Sequence, residues 1–151
     1  MPQPFRYYLR VRYGECDAQK VVFNARYSDY IDISISEFIR AIGFGEALAA
    51  GTLDFQLAKQ TLEWKASARF DQVLEITAFA LRLGNTSFTI GTEFRIAGSP
   101  QIVATGETVY VLVNPTTLTK ISLPDDFRAA LEHGAPDVVT DHAGYLLAVN
   151  A

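Results

Sequence analysis

The sequence predicts an α+β domain in which one antiparallel sheet covers a single long helix. Three observations predict it. Five segments have strand character, one segment carries apolar residues at helical spacing, and tight-turn signals join the later strands in order. The chain has 151 residues, enough for one domain with one substantial core.

Phe5, Tyr7, Leu9, Val11 and Tyr13 alternate with Arg6, Tyr8, Arg10 and Arg12, the period of a strand with one buried face. Gly14 to Lys20 reads as a polar loop. From Tyr27 to Ile42 the period changes. Tyr27, Ile31, Ile35, Phe38 and Ile42 share one helical face, and Asp29, Asp32, Ser36 and Arg40 occupy much of the other. Gly43 is placed to end this helix in a left-handed cap. A shorter helix or turn is expected over Glu46 to Ala50, ending at Gly51.

The remainder is mostly strand. From Leu53 to Arg69 the apolar residues change parity, Phe55 and Leu57 against Leu62, Trp64 and Ala66, which predicts a bulge near Lys59 to Thr61. Val73 to Leu83 is the next strand, Gly84-Asn85 a tight turn, and Thr86 to Ile96 the strand after it. Gly98-Ser99-Pro100 turns into a last long strand, Ile102 to Val113, ended by Asn114-Pro115. Pro124 to Glu132 reads as a short helix with Asp125 and Asp126 in its favourable first turn. The expected organisation is one domain over 1–133 and a C-terminal extension over 134–151, whose patch Tyr145 to Val149 packs on the body or on a neighbouring subunit. Strands apolar on both sides, such as the last, predict self-association.

Composition narrows the function. The single cysteine, Cys16, excludes an internal disulfide and a cysteine-rich zinc site. A net charge of −4 argues against broad nucleic-acid binding. No apolar run is long enough for a membrane span and none marks a secretory signal, so the expectation is a cytoplasmic protein with no membrane partner. The two histidines, His133 and His142, both lie near the C-terminus, so histidine chemistry in the body of the domain needs the tail to fold back. Nucleotide-binding glycine loops and a G-x-S-x-G elbow are absent from the sequence.

The segment from Val11 to Tyr27 is the candidate for chemistry. It places an acid, Asp17, in a loop, then Val21-Val-Phe, then Asn24 suited to opening the helix. Free N–H groups at a helix start hold a developing oxyanion, and a nearby carboxylate attacks a thioester carbonyl or deprotonates a water that does. A thiolate leaves with little need of a proton, so no histidine acid is required. Cys16 has no histidine nearby to activate it and reads as a small buried hydrophobe. Glu15, two residues before Asp17, reads as projecting toward solvent, with a catalytic place beside Asp17 as the lesser alternative. Tyr13 reads either as a strand-end core residue or as one that orients the Asp17 loop. Tyr27 reads as core packing or as an acyl contact.

The run Tyr13-x-x-x-Asp17, then Val21-Val-Phe-Asn24-x-x-Tyr27 and the helix to Glu37-Phe38, resembles the hotdog-fold acyl-CoA thioesterases of the 4-hydroxybenzoyl-CoA thioesterase type. Ala68-Arg-Phe-Asp71-x-x-Leu74 and Leu83-Gly-Asn-Thr-Ser87 resemble later segments of that family, and the likeness spans about Phe5 to Pro124. It implies a sheet wrapped around the long helix and hydrolysis of an acyl-CoA to acid and coenzyme A. It implies Asp17 as nucleophile or general base and the Asn24 backbone, or its immediate neighbour, as oxyanion donor. No cofactor is implied beyond coenzyme A as part of the substrate, and no metal. Active sites at the interfaces of a homodimer, or of a dimer of dimers, are implied as well. Substrate contacts are expected from Phe23, Tyr27, Trp64, Arg69, Thr86 and Ser87, with Phe55 a further pocket candidate and Lys65, Arg82 and Arg95 candidates for the coenzyme A phosphates. Lys20 stands where a common variant has glycine, and Phe23 and Asn24 stand where many relatives have a histidine or second tyrosine. Glu37 is a minor rival to Asp17, because another hotdog branch uses a helical glutamate. The alternatives are a hotdog enoyl-thioester hydratase and a non-catalytic acyl-CoA-binding protein.

Overall fold

The architecture comes from a computed structural model, which describes residues 1–149. The last two residues of the expected C-terminal extension, 150 and 151, lie outside the described residues. In chain order the elements are β1 (Phe5–Arg10), α1 (Arg26–Ile39), α2 (Gly45–Ala50), β2 (Asp54–Trp64), β3 (Val73–Leu83) and β4 (Ser87–Ile96). They continue with β5 (Ile102–Val113), α3 (Asp125–His133), β6 (Val139–Asp141) and α4 (Tyr145–Val149). The strands form one sheet in the order β2-β5-β4-β3-β1-β6. Every neighbouring pair is antiparallel except β1 with β6. No helix among the described residues is long and apolar enough to cross a membrane.

The core forms where α1 meets the inner face of the sheet. Tyr27, Tyr30, Ile31, Ser34, Ile35, Phe38 and Ile39 are buried, a stripe that keeps the helical period. Opposite them lie Leu74 and Ile76 of β3, Phe88, Ile90 and Phe94 of β4, and Ala104 and Leu112 of β5. Each large apolar side chain buried in full contributes about 1.5–3 kcal/mol relative to exposure. Gly106 permits the close approach of helix and sheet: a Cβ there would stand 3.0 Å from Ile31 Cδ1 and 2.6 Å from Thr92 Oγ1.

Several boundaries differ from expectation for identifiable reasons. Regular α-helix stops at Ile39, not Ile42, and Arg40–Phe44 form a widened turn around Gly43. Gly43 has φ 101°, which no continuing helix accommodates. The β2 bulge falls between Leu57 and Lys59, just before the predicted stretch. The β3–β4 turn is centred one residue late, since Gly84 N–H bonds the Ser87 carbonyl at 2.7 Å and leaves Asn85-Thr86 at the tip.

The region after Gly134, with no strand predicted, supplies β6 alongside β1 at Arg6–Tyr8. Tyr145 of α4 stacks on Tyr8, with ring centroids 5.2 Å apart. This explains why Tyr8 is buried although it alternates with the core-facing Tyr7 and Leu9.

Candidate active site

The connection from β1 to α1 is a tightly bonded loop. Val11 N–H donates to the Gln72 carbonyl, and a single 3₁₀ turn covers Tyr13–Glu15. Asp17 N–H donates to the Val21 carbonyl and Lys20 N–H to the Asp17 carbonyl, each at 2.9 Å. These bonds close a small turn in which Lys20 has φ 66°, a conformation glycine adopts more cheaply. Asp17 Oδ1 accepts the Gln19 N–H at 2.8 Å, so its side chain helps shape the turn. A bridge between Val21 and Arg69 brings the following Phe70 alongside. The result is a cleft of about 310 Å³ lined by Tyr13, Cys16, Asp17, Ala18, Lys20 and Phe70.

The helix entrance is equally defined. Phe23 N–H donates to the Glu15 carbonyl at 2.9 Å, which ties the entrance to the acidic loop. Arg26 N–H then closes a turn on the Phe23 carbonyl at 2.8 Å, and Tyr27 N–H reaches the Asn24 carbonyl at 3.3 Å. The N–H groups of Asn24 and Ala25 have no acceptor among the described residues. They sit at the positive end of α1, the place where an anionic oxygen is stabilised.

Some expected roles change. The Asn24 side chain does not cap the helix; Ala25 occupies the cap position with no side-chain bond. Tyr13 is not a core residue, being 81% exposed and packed edge-on against Phe70. Glu15 is not directed to solvent. Its side chain is 9% exposed and is held by Arg12 and Tyr30. Tyr27 is 1% exposed and packs in the core among Tyr30, Trp64 and Phe94. Phe55 packs on Phe88 and Tyr110. Cys16 is half-buried, on the cleft wall. In the single chain Asp17 is itself exposed, so the desolvation expected of a catalytic pocket is not supplied by one subunit.

Burial, the largest single influence on Glu15, pushes its carboxyl upward. The bonds from the Arg12 side chain and N–H and from Tyr30 outweigh it and hold the group below its ordinary value of 4.5. Burial, then the bond to Glu15, drives Tyr30 in the opposite direction, above the ordinary tyrosine range.

The tail does fold back, but to a different cleft. His142 Nδ1 meets the Tyr7 hydroxyl at 2.9 Å, and its Nε2 lies 3.9 Å from Glu37 Oε1. Tyr7 and His142 share a cleft of about 340 Å³ with Leu9, Arg12, Glu15 and Tyr30 among others; neither Glu37 nor Asp17 is part of its wall. Glu37 also binds Arg40, at 3.0 Å. Among the described residues no three His, Cys, Asp or Glu side chains group closely enough to hold a metal ion.

Residues 11–131 match the thioesterase-like superfamily. The chain belongs to that family. It is 31% identical over 126 residues to the acyl-CoA thioester hydrolase YbgC of Escherichia coli O157:H7, covering 83% of this chain and 93% of that one. A 1,4-dihydroxy-2-naphthoyl-CoA thioesterase from Synechocystis superposes with a TM-score of 0.75 at 18% identity, over 85% of this chain and 96% of that one. A Staphylococcus aureus protein solved with CoA superposes at 0.79 and 13% identity, over 88% and 84%. The two superpositions establish the hotdog fold, and the family places this chain among thioester hydrolases.

Within this thioesterase-like chain the other expected substrate residues do not all converge. Arg69 adjoins the Asp17 loop through its bridge to Val21, and Phe23 is exposed at the helix entrance. Trp64 is 45% exposed at the end of β2. Thr86 and Ser87 lie beyond the far end of β3, whose eleven residues span about 33 Å. Lys65, Arg82 and Arg95 already pair with Glu63, Glu107 and Glu93. Phe70 is the neighbour that sequence reasoning left out of the site, and Glu15, weighed as a solvent-facing acid or a lesser catalytic one, is instead buried. Phe70 had a signal, an aromatic amid polar residues directly after Arg69; Glu15 had none locally.

Proposed function

We propose that this chain hydrolyses an acyl-CoA thioester to a free acid and coenzyme A. The observation that carries the proposal is the hydrogen-bonded closure of the Asp17 loop onto a helix entrance with two N–H groups unpaired among the described residues. The named activity of the Escherichia coli relative supports the substrate class. The thioester carbonyl oxygen takes the N–H of Asn24 or Ala25, and charge developing there is stabilised by donors that need no reorganisation. Asp17 attacks the carbonyl carbon to give a mixed anhydride, or removes a proton from a water that attacks instead. In both routes coenzyme A departs as thiolate. Lys20 and Arg69, free of ion pairs among the described residues, are the cations nearest this loop for coenzyme A phosphates.

We further propose that the working unit is a homodimer, or a pair of dimers. The outer edge of β2 is unpaired among the described residues, and Leu57 and Trp64 of this strand are exposed. A second copy supplies what one chain lacks around Asp17: desolvation, and the distant Thr86 and Ser87. The mass in solution by light scattering tests this, and a monomer with full activity would end it.

Asp17→Asn keeps the Gln19 bond and the fold but loses at least about two orders of magnitude in kcat. Release of free thiol from short, long and aromatic acyl-CoAs is the assay, and near-normal turnover by the variant removes Asp17 from its role. Oxygen-18 from solvent, found in Asp17 after one turnover, distinguishes the anhydride from the general-base route. Hydration of an enoyl-CoA without thiol release would instead establish the hydratase, and tight acyl-CoA binding without turnover would establish a binding protein.

A further inference from the structure

Among the described residues Asp17 makes no hydrogen bond to α1. Its hydrogen bonds are local, to Gln19, Lys20 and Val21. The connection between the acidic loop and the helix runs through Glu15. Its carboxylate accepts four bonds. Arg12 N–H at 2.8 Å and the Tyr30 hydroxyl at 2.9 Å reach Oε1. Arg12 Nε at 2.9 Å and Nη2 at 2.6 Å reach Oε2. Its backbone carbonyl accepts Phe23 N–H at 2.9 Å, one residue before Asn24. One residue thus grips the segment just after β1, the first turns of α1 and the helix entrance, two positions from Asp17.

Its partners outweigh the cost of burying this carboxylate, yet well-packed apolar groups can replace such buried ion pairs with no loss of stability, so stability alone does not call for an acid here. Its value lies in direction. Two oxygens with four fixed donors allow one orientation of the 3₁₀ turn, and hence one placement of Asp17 against the free amides. We propose that Glu15, locked by Tyr30 and Arg12, is the positioning residue that sets the carboxylate of Asp17 relative to the oxyanion donors. This rests on the catalytic reading of Asp17. A displacement near 1 Å at a reacting group is enough to cost about a hundredfold in rate.

The test uses Glu15→Gln and Tyr30→Phe, each in the wild-type chain and in Asp17→Asn, with the acyl-CoA that the thiol-release screen shows to be fastest. Tyr30→Phe removes one hydroxyl from a buried ring and guards against a Glu15 variant that fails to fold. Expected in the wild-type background is a kcat loss of at least about tenfold, with KM changed far less. In Asp17→Asn the same changes cost nothing further, because the group they place is already gone. Equal losses in both backgrounds overturn the proposal, since a general structural role is additive. So does unchanged kcat in both Glu15→Gln and Tyr30→Phe while Asp17→Asn is inactive, a result that leaves the role of Asp17 standing. Full activity of Asp17→Asn overturns both together.

Discussion

Asn24→Pro separates a backbone donor from everything else at the helix entrance. Asn24 is the second residue of the turn closed by Arg26 N–H on the Phe23 carbonyl, a position where proline is favoured. Its N–H has no acceptor among the described residues, so the substitution removes no bond seen there. Restricting the unfolded chain raises stability by about 0.4–1 kcal/mol if the local conformation is kept. The only chemical loss is one of two donors at the proposed oxyanion site. Losing such a donor costs about 10²–10³ in kcat, about 2.7–4 kcal/mol of transition-state stabilisation. The reference is Asn24→Ala, which keeps the N–H and removes a side chain with no hydrogen bond among the described residues. Thiol release under saturating acyl-CoA gives kcat, and urea denaturation confirms the fold. If folded Asn24→Pro turns over within about threefold of Asn24→Ala, this amide is not the donor of the kind argued.

Three further outcomes are expected. Gly106→Ala forces a methyl against Ile31 and Thr92 where α1 crosses the sheet, and lowers unfolding free energy by about 1–3 kcal/mol in denaturant titration. The Glu15 carboxyl is held below its ordinary value in the folded chain, so the stability it adds is complete above pH 4.5 and is lost as pH falls through the depressed folded value. The advantage of the native chain over Glu15→Gln, about 1.5–3 kcal/mol at neutral pH, therefore shrinks on acidification in paired urea titrations. Removing residues 138–151 uncovers Tyr8 and the β1 edge, and light scattering should report concentration-dependent association.

Much of the fold was legible because its signals are local. Val73–Leu83 and Ile102–Val113 are read to the residue from alternation bounded by turns, and the α1 stripe from its period. Position Asp17 was legible as an acid between a strand and a helix start. What was hidden depends on distant pairing. Three-residue β6 has no period to detect and pairs in parallel with a strand more than 130 positions earlier. Glu15 looks like any loop acid until Tyr30, fifteen residues on, closes over it. Tyr13 continues the β1 alternation in sequence, but the strand ends at Arg10, so the parity no longer dictates burial.

The short strand contributed by the tail has an architectural consequence. It fills the middle of one rim of the sheet, and the other rim, β2, stays open. A sheet with two open rims is a repeating tile and polymerises; one with a single outlet is a terminator. In the proposed pairing of two such chains rim to rim the β2 edges are used up, and each outer rim ends in a three-residue strand too short to template another long one. Larger assemblies must then be built through faces, where side chains decide who fits.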